Sequence, residues 1–167
     1  IEFFEEDAVK KIIKRLGGME GRAVILIGGT PGAGLSYFTN VILNELGKRN
    51  RRADSLSAYN YYKDWTEMPR RKDGSIDFES PHSLDIALLA SHVKELLKGN
   101  TVDIPQYDFT EGRRTDMTTS IRLEEGEVLI LEAIYGLSDE FLAMVKGVPA
   151  VKVFVDADEN IRLLRRI

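Results

Sequence analysis

A glycine-rich segment, residues 29–36, carries the clearest chemical signal in this sequence. It reads Gly-Thr-Pro-Gly-Ala-Gly-Leu-Ser, and its spacing matches the phosphate-binding pattern G-x-x-x-x-G-K-[ST] except at the lysine, which is Leu35. The glycines let successive backbone N–H groups turn towards an anion, and a following helix adds the positive end of its dipole. The alternative is a glycine turn without a ligand. The pattern predicts a nucleotide-phosphate site formed by Gly29, Gly32, Ala33, Gly34, Leu35, Ser36 and Tyr37.

The leucine at position 35 changes the chemistry that such a loop can perform. A lysine would supply a positive charge at the β- and γ-phosphates, whereas we expect the apolar tip of Leu35 to face a polyanion. Loss of one preorganised donor at developing charge typically costs about 10²–10³ in turnover. The backbone cradle survives this loss, and the Ser36 hydroxyl can still reach a magnesium ion. The sequence therefore predicts nucleotide binding with slow chemistry, unless another cation substitutes.

The elements that must position this loop alternate along the chain. Short apolar runs predict buried strands, and apolar residues at i, i+3 and i+4 predict amphipathic helices. The predicted strands are 23–27, 56–58, 128–131 and 151–155, and the predicted helices are 5–16, the segment after Gly34, 83–98, 138–145 and the segment from Glu159. The polar stretches 63–80 and 105–119 are predicted to be irregular loops. This order predicts an α/β domain whose parallel sheet is covered on both faces.

Length and composition bound the class of protein. The chain has 167 residues, a net charge of −4 and no cysteine, so one domain is expected and disulfide, iron–sulfur and thiol-nucleophile chemistry are excluded. Mild acidity argues against nucleic acid as a partner. No apolar run approaches the roughly 20 residues of a membrane span. The acidic start, with Glu2, Glu5, Glu6 and Asp7, does not resemble a signal peptide, so we expect a cytoplasmic protein.

Segments beyond the glycine-rich loop add a family resemblance. They read YYKD at 61–64, DFESP at 77–81, IPQYDF at 104–109, LILEAI at 129–134 and VFVDAD at 153–158, before an arginine-rich helix. In this order they resemble the uridine kinase and phosphoribulokinase family of P-loop kinases, over about residues 22–167. The resemblance implies a three-layer α/β P-loop fold of the nucleoside-kinase type, with a mostly parallel sheet.

The resemblance also implies ATP and Mg²⁺ as cofactors. Ser36 and Glu132 match the family positions that hold magnesium, directly or through water. Glu132 ends a predicted buried strand beside the loop, where a carboxylate is costly to bury unless it faces a cation. The alternative is a partly exposed glutamate at a strand end.

Substrate contacts are implied at further positions. Glu79 stands where the family has an aspartate that holds ribose hydroxyls. The aromatic side chains that match the nucleoside pocket are Tyr62, Tyr107 and Phe109, and the cations that match contacts to base or phosphates are Arg114, Arg162 and Arg165. Ordinary loop packing and a solvated helix face are the respective alternatives.

Three departures from the family pattern concern catalysis and specificity. Besides the missing lysine, Tyr59 stands where the family has its catalytic aspartate, and Gly112 replaces a histidine that contacts the base. A tyrosine has an ordinary pKa of about 10 and is a poor base at neutral pH. If the chain is active, it needs a substitute cation and a substitute base, for which Lys63, Glu79 and Arg165 are the candidates.

Two main functions remain open. The first is a uridine kinase-like, ATP-dependent phosphotransferase that acts on a nucleoside or a similar small hydroxyl compound. The second is a catalytically degenerate nucleotide-binding or regulatory module, and a purely structural domain is a weaker third. The chain begins at Ile1 and stops at Ile167 within a helical pattern, without the lid segment of this family. We therefore expect it to belong to a longer protein with a fused domain, and we expect a homo-oligomer from the family.

Overall fold

The computed structural model describes residues 2–164. Its elements alternate as expected, apart from one adjacent pair of strands. They are α1 (Glu2–Gly17), β1 (Ala23–Gly29), α2 (Leu35–Lys48), β2 (Ala53–Ser57), α3 (Ile86–Leu97), β3 (Val102–Asp108), β4 (Arg113–Ile121), β5 (Val128–Glu132), α4 (Asp139–Met144), β6 (Ala150–Val155) and α5 (Glu159–Leu164), with 3₁₀ turns at Ala58–Tyr61 and Pro81–Ser83.

The main sheet has four parallel strands in the order β2–β5–β1–β6. Every residue of β1 and β5 is buried, which is the pattern of strands covered on both faces. In the register of the sheet, Glu132 lies beside Ile27 and Ser57, while Gly29 lies beside Val155. The carboxyl ends of all four strands therefore meet at one edge, directly under the glycine-rich loop.

Helices cover the sheet from both sides. Because side chains alternate along a strand, Ile25 packs with Leu16 of α1 on one face, whereas Leu26 packs with Leu89 of α3 on the other. The first face carries α1 and α2, and the second carries α3, α4 and the β3–β4 pair. The prediction of a three-layer α/β fold with a mostly parallel sheet is confirmed.

The prediction of an irregular segment at 105–119 is wrong. Strands β3 and β4 form an antiparallel pair there, with a shift in register between Pro105 and Tyr107. Proline is tolerated because a two-stranded ribbon consists only of edges. At the turn, the Asp108 carboxylate accepts the N–H groups of Thr110 and Glu111, and Gly112 has a φ of 68°. Most of β4 is exposed, so the apolar alternation that marks a half-buried strand is weak.

Smaller shifts affect the element ends. The strand predicted at 56–58 is β2, which begins and ends earlier and leaves Ala58 in a 3₁₀ turn. The helix predicted at 83–98 is the shorter α3, which follows the 3₁₀ turn Pro81–Ser83. Residue Arg165, predicted on the last helix, lies outside the described residues. Within residues 2–164, no helix is long and apolar enough to cross a bilayer.

Candidate nucleotide site

The glycine-rich loop connects β1 to α2 through two left-handed residues. Gly32 has a φ of 80° and Gly34 a φ of 97°, a region that side chains rarely adopt. Gly34 occupies the N-cap position of α2 and provides no side-chain cap. The N–H groups of the first helical turn have no partners within a helix, so this terminus is suited to an anion.

The loop is fixed against the end of β6. A Cβ atom on Gly29 would lie 2.2 Å from the carbonyl oxygen of Val155, so only glycine fits there. The Thr30 hydroxyl donates a hydrogen bond of 3.0 Å to the Asp156 carboxylate. Ala33 N–H donates to the Thr30 carbonyl and closes a turn within the loop. The shape of the loop is therefore set by the strands beneath it.

The side chain of Leu35 does not face the anion position, contrary to the sequence-based expectation. It is only 5% exposed and packs in the apolar cluster that contains Ile27 and Phe38. One of its methyl carbons lies 3.1 Å from the position of a Cβ atom on Gly29. The apolar tip is more stable in the core than against a polyanion, so the leucine supports the loop from below.

A buried carboxylate lies beside the loop. Glu132, the last residue of β5, is 5% exposed, so the alternative of a partly exposed glutamate is wrong. The Ser36 hydroxyl donates to its Oε1 at 2.8 Å, and the buried Thr39 hydroxyl donates to its Oε2. Among the described residues, no lysine or arginine forms an ion pair with Glu132.

Sequence reasoning missed Thr39. The signal was its position three residues after Ser36, which places both hydroxyls on the same side of α2. Residues 2–164 contain no group of three or more histidine or acidic residues that could hold a metal ion. Ser36 and Glu132 nevertheless fit Mg²⁺, which binds through one or two carboxylates together with substrate phosphates and water.

A second group of side chains forms an aromatic cluster on the other face of the sheet. Tyr62 lies at its centre, with ring centroids 5.8 Å from Tyr59, 5.4 Å from Phe78, 5.7 Å from Tyr107 and 6.1 Å from Phe109. The structure thus brings together the three aromatic residues predicted for the substrate pocket and adds Phe78. Phe109 remains 53% exposed, so the cluster has a face open to solvent.

Tyrosine hydroxyls tie this cluster to the loop around it. The Tyr62 hydroxyl donates a hydrogen bond of 2.8 Å to the Phe78 carbonyl. The Tyr107 hydroxyl donates one of 2.9 Å to the Lys63 carbonyl, and the Tyr135 hydroxyl donates one to the Glu79 carbonyl. The backbone at the candidate residues Lys63 and Glu79 is therefore fixed by aromatic side chains.

Tyr59, whose ring stacks on Tyr62 in this cluster, lies in the 3₁₀ turn after β2. Burial raises its pKa above the ordinary tyrosine value, and the negative charges of Glu132 and Glu79 raise the pKa further. The phenol therefore stays protonated at neutral pH and cannot accept a proton from an attacking hydroxyl.

The predicted cations separate into two places. Arg114 lies opposite Tyr107 in the β3–β4 pair, and its Nη2 lies 3.1 Å from Asp85 Oδ2. Arg162 lies on α5, where its Nε donates 3.0 Å to the Ala157 carbonyl. The first is therefore beside the aromatic cluster, and the second is beside the segment that follows β6. The Glu79 carboxylate forms an ion pair with Arg71, which was not among the predicted site residues; Arg71 Nη2 lies 3.6 Å from Glu79 Oε2.

Trp65 and Gly112 form a close contact at the edge of the cluster. A Cβ atom on Gly112 would lie 2.2 Å from Trp65 Cδ2, and the backbone N–H of Trp65 donates a hydrogen bond of 2.9 Å to the Gly112 carbonyl. The indole therefore covers the position where a side chain of residue 112 would project. Gly112 is the position at which the sequence departs from the family histidine.

Known proteins resemble this chain over most of its length. A family model described as "Phosphoribulokinase / Uridine kinase family" matches residues 24–167. The chain belongs to this family. A uridine kinase of Lactobacillus helveticus is 32% identical over 152 residues, which are 91% of this chain and 69% of that protein. A uridine kinase of Streptococcus gordonii is 33% identical over 150 residues, 89% of this chain and 68% of that protein.

Solved structures of kinases share the fold of this family member. A possible uridine kinase from Bacillus stearothermophilus has a TM-score of 0.74 and 15% identity, and the match covers 99% of this chain and 87% of that chain. A D-glycerate 3-kinase from Cryptococcus neoformans has a TM-score of 0.61 and 17% identity, with coverage of 79% and 52%. At these identities the likeness shows the fold alone, and it confirms the predicted P-loop kinase architecture.

Proposed function

We propose that this chain is an ATP-dependent phosphotransferase of the uridine-kinase type that acts on a nucleoside or a similar small hydroxyl compound. The observation that carries the proposal is the buried Glu132 carboxylate, held by Ser36 and Thr39 beside a loop with the conformation for phosphate binding. Relatives named uridine kinase, about one third identical over most of the chain, support the substrate class.

On the donor side, which we define as loop 29–36 with Thr39 and Glu132, each group has a distinct task. Backbone N–H groups at the start of α2 bind the phosphates. Arg162 on α5 supplies a positive charge that balances part of the negative charge of the phosphates. Ser36 and Glu132 would hold Mg²⁺, while Thr39 orients the carboxylate. When bound, the metal neutralises charge that develops on the transferring phosphoryl group.

On the acceptor side, which we define as the aromatic cluster with Trp65, Gly112 and Arg114, the residues hold and orient the substrate. The rings of Tyr62, Tyr107 and Phe109 offer apolar surfaces to a nucleobase. Glu79 follows Phe78 and can accept hydrogen bonds from hydroxyl groups. Phosphoryl transfer depends mainly on positioning and charge stabilisation, so a chain without an aspartate base retains slow transfer.

A second candidate function is nucleotide binding without useful transfer. It is favoured by Leu35, a buried apolar residue that supplies no charge at the lysine position, and by Tyr59, whose raised pKa keeps the phenol protonated where the family has its aspartate base. In this case the donor side would bind Mg²⁺-nucleotide and the protein would act as a regulatory module.

One experiment separates these functions. Calorimetric titration of ATP with and without Mg²⁺ measures nucleotide affinity on the donor side. The rate at which labelled phosphate is transferred to uridine and cytidine tests the donor and acceptor sides together. We expect Mg²⁺-dependent binding together with slow transfer to one of the two nucleosides. Binding without transfer to any nucleoside supports the regulatory module, and the absence of nucleotide binding contradicts both functions.

A further inference from the structure

We propose that α1 forms one wall of the pocket that takes the nucleoside half of the donor nucleotide, and that Glu5 and Tyr37 hold this wall in place. The inference rests on the proposed function, because it assumes that phosphates bind at loop 29–36. It concerns a helix, Glu2–Gly17, that precedes the residues matched by the family model, 24–167.

The pocket is a cavity of about 580 Å³ next to the glycine-rich loop. Ala33 and Gly34 of the loop form one side, the end of β6 with the following residues 156–158 forms another, and Ala8 of α1 forms a third. This volume lies in the usual range of small-molecule sites, about 300–1,000 Å³. The cavity is therefore large enough for a nucleoside and continuous with the loop.

The topology separates this cavity from the acceptor side. The loop follows β1, which lies between β5 and β6 in the sheet. Glu132 ends β5, and Tyr59 follows β2 on the far side of β5, whereas the cavity is lined by the end of β6. A nucleotide whose phosphates rest on the loop can therefore point its terminal phosphate towards Glu132 and its nucleoside towards β6.

The lining disfavours a negatively charged ligand and suits a ring-containing ligand with hydrogen-bond donors. Among the described residues, its charged side chains are three carboxylates, Glu5, Asp156 and Asp158, and it contains no lysine or arginine. Carboxylates repel phosphate but accept hydrogen bonds from ribose hydroxyls or an exocyclic amine. Tyr37 and Phe154 also line the cavity and are more than 60% exposed, so their rings are available for contact with a base.

Helix α1 is firmly attached at this position. Its side chains Val9, Ile12 and Leu16 are buried in the core that also contains β1 and α2. Towards the cavity it presents the small Ala8, and Tyr37 donates a hydrogen bond of 3.4 Å to Glu5. The wall is thus held by its apolar face and by the hydrogen bond between Tyr37 and Glu5, while the face towards the cavity leaves room for a ligand.

The first test fills the cavity from α1. Ala8→Trp is compared with Lys10→Trp, which adds the same ring to the same helix at a side chain that is 70% exposed. Calorimetry measures binding of Mg²⁺-ATP and, separately, of Mg²⁺-tripolyphosphate, which reaches the loop but has no nucleoside. We expect Ala8→Trp to weaken ATP binding at least about tenfold, because the indole would occupy the space proposed for the nucleoside, and to leave tripolyphosphate binding unchanged.

A second, milder variant keeps the inference testable if the Ala8→Trp protein does not fold. Tyr37→Phe keeps the ring and removes the hydroxyl that reaches Glu5, and we expect it to weaken ATP binding by about threefold without an effect on tripolyphosphate. Equal ATP affinity in the Ala8→Trp and Lys10→Trp proteins would overturn the inference, as would equal losses for both probes. If the unmodified protein binds tripolyphosphate and ATP equally well, α1 forms no nucleoside pocket. If it binds neither probe, the proposed function itself fails.

Discussion

The donor side and the acceptor side differ in what determines their shape. On the donor side, the loop is shaped by backbone conformation, with left-handed glycines and a close contact between Gly29 and the Val155 carbonyl. On the acceptor side, the shape comes from side chains, since Tyr62 packs against several rings and tyrosine hydroxyls hold the surrounding backbone.

This difference explains how each side accommodates an unusual residue. Leu35 turns into the core, and the loop keeps Gly32 and Gly34 in left-handed conformations. On the acceptor side the unusual residue is Gly112, and the indole of Trp65 occupies the space that a side chain at position 112 would take. The surface that a substrate would meet is therefore different. A site shaped by backbone conformation therefore keeps its shape when one side chain is lost, whereas the shape of a site built from side chains changes with each of them.

The largest effect is expected from Gly29→Ala on the donor side. The added Cβ atom would collide with the backbone oxygen of Val155, which cannot move without disturbing β6. We expect a loss of about 3 kcal/mol in the free energy of unfolding, together with loss of ATP binding. Urea denaturation and calorimetry measure the two effects. Normal ATP affinity in this variant would show that backbone geometry does not define the donor side.

A matched change on the acceptor side is Gly112→Ala. Its Cβ atom would approach the Trp65 ring just as closely, but a side chain can move, so we expect a smaller loss of about 2 kcal/mol, which includes the cost of a φ of 68°. Combining it with Trp65→Ala should make the two losses less than additive in a double-mutant cycle. Additive losses would contradict a direct Trp65–Gly112 contact.

The role of Thr39 is tested by Thr39→Val, which keeps the volume and removes the hydroxyl that donates to Glu132. Groups that orient a metal-binding carboxylate typically contribute about 10–100-fold to metal affinity, so we expect about tenfold weaker binding of Mg²⁺-ATP. Binding of ATP without Mg²⁺ should not change. The exposed Thr118→Val in β4 serves as the control, and an equal effect of both substitutions would remove Thr39 from the metal site.

The smallest effect concerns pH and arises at His92, which interacts electrostatically with Arg114 of the acceptor side. Burial lowers the pKa of His92 below 6.5, and Arg114 adds to this against the opposing charges of Asp85 and Asp103. The unfolded chain therefore binds a proton more readily than the folded one, so stability falls as the pH drops below 6.5.

Urea titrations at pH 7.5 and 5.5, followed by fluorescence of the single tryptophan, measure this dependence. His92→Gln should flatten it, because the titrating ring beside Tyr61 is gone. An unchanged difference between the two pH values would assign the effect to other groups.

The donor side could be predicted from the sequence because its signals are local. Glycine spacing marks the loop, and a continuous apolar run that ends in Glu132 marks a buried strand with a carboxylate at its edge. The orientation of Leu35 could not be predicted, since it depends on the room beneath the loop. Thr39 was missed because its spacing from Ser36 becomes informative only once both hydroxyls are seen to donate to Glu132.

The acceptor side was harder to predict because its contacts join distant segments. The β3–β4 pair was predicted to be irregular, since much of it faces solvent and Pro105 weakens the strand signal. The contact between Trp65 and Gly112 depends on the turn of that pair, which brings two loops together. Family resemblance named Tyr62, Tyr107 and Phe109, and the structure shows them in one cluster.

The central claim is that the donor side binds nucleotide while transfer is limited by the missing lysine and aspartate. The most direct measurement compares phosphoryl transfer from ATP to uridine and cytidine in the unmodified chain and in the variant with Leu35→Lys and Tyr59→Asp. A lysine ammonium is costly to bury in the apolar site of Leu35, so it should turn towards the phosphates. We predict that transfer rises at least about 10²-fold while Mg²⁺-ATP affinity changes little. Equal transfer rates in the two proteins would contradict the claim.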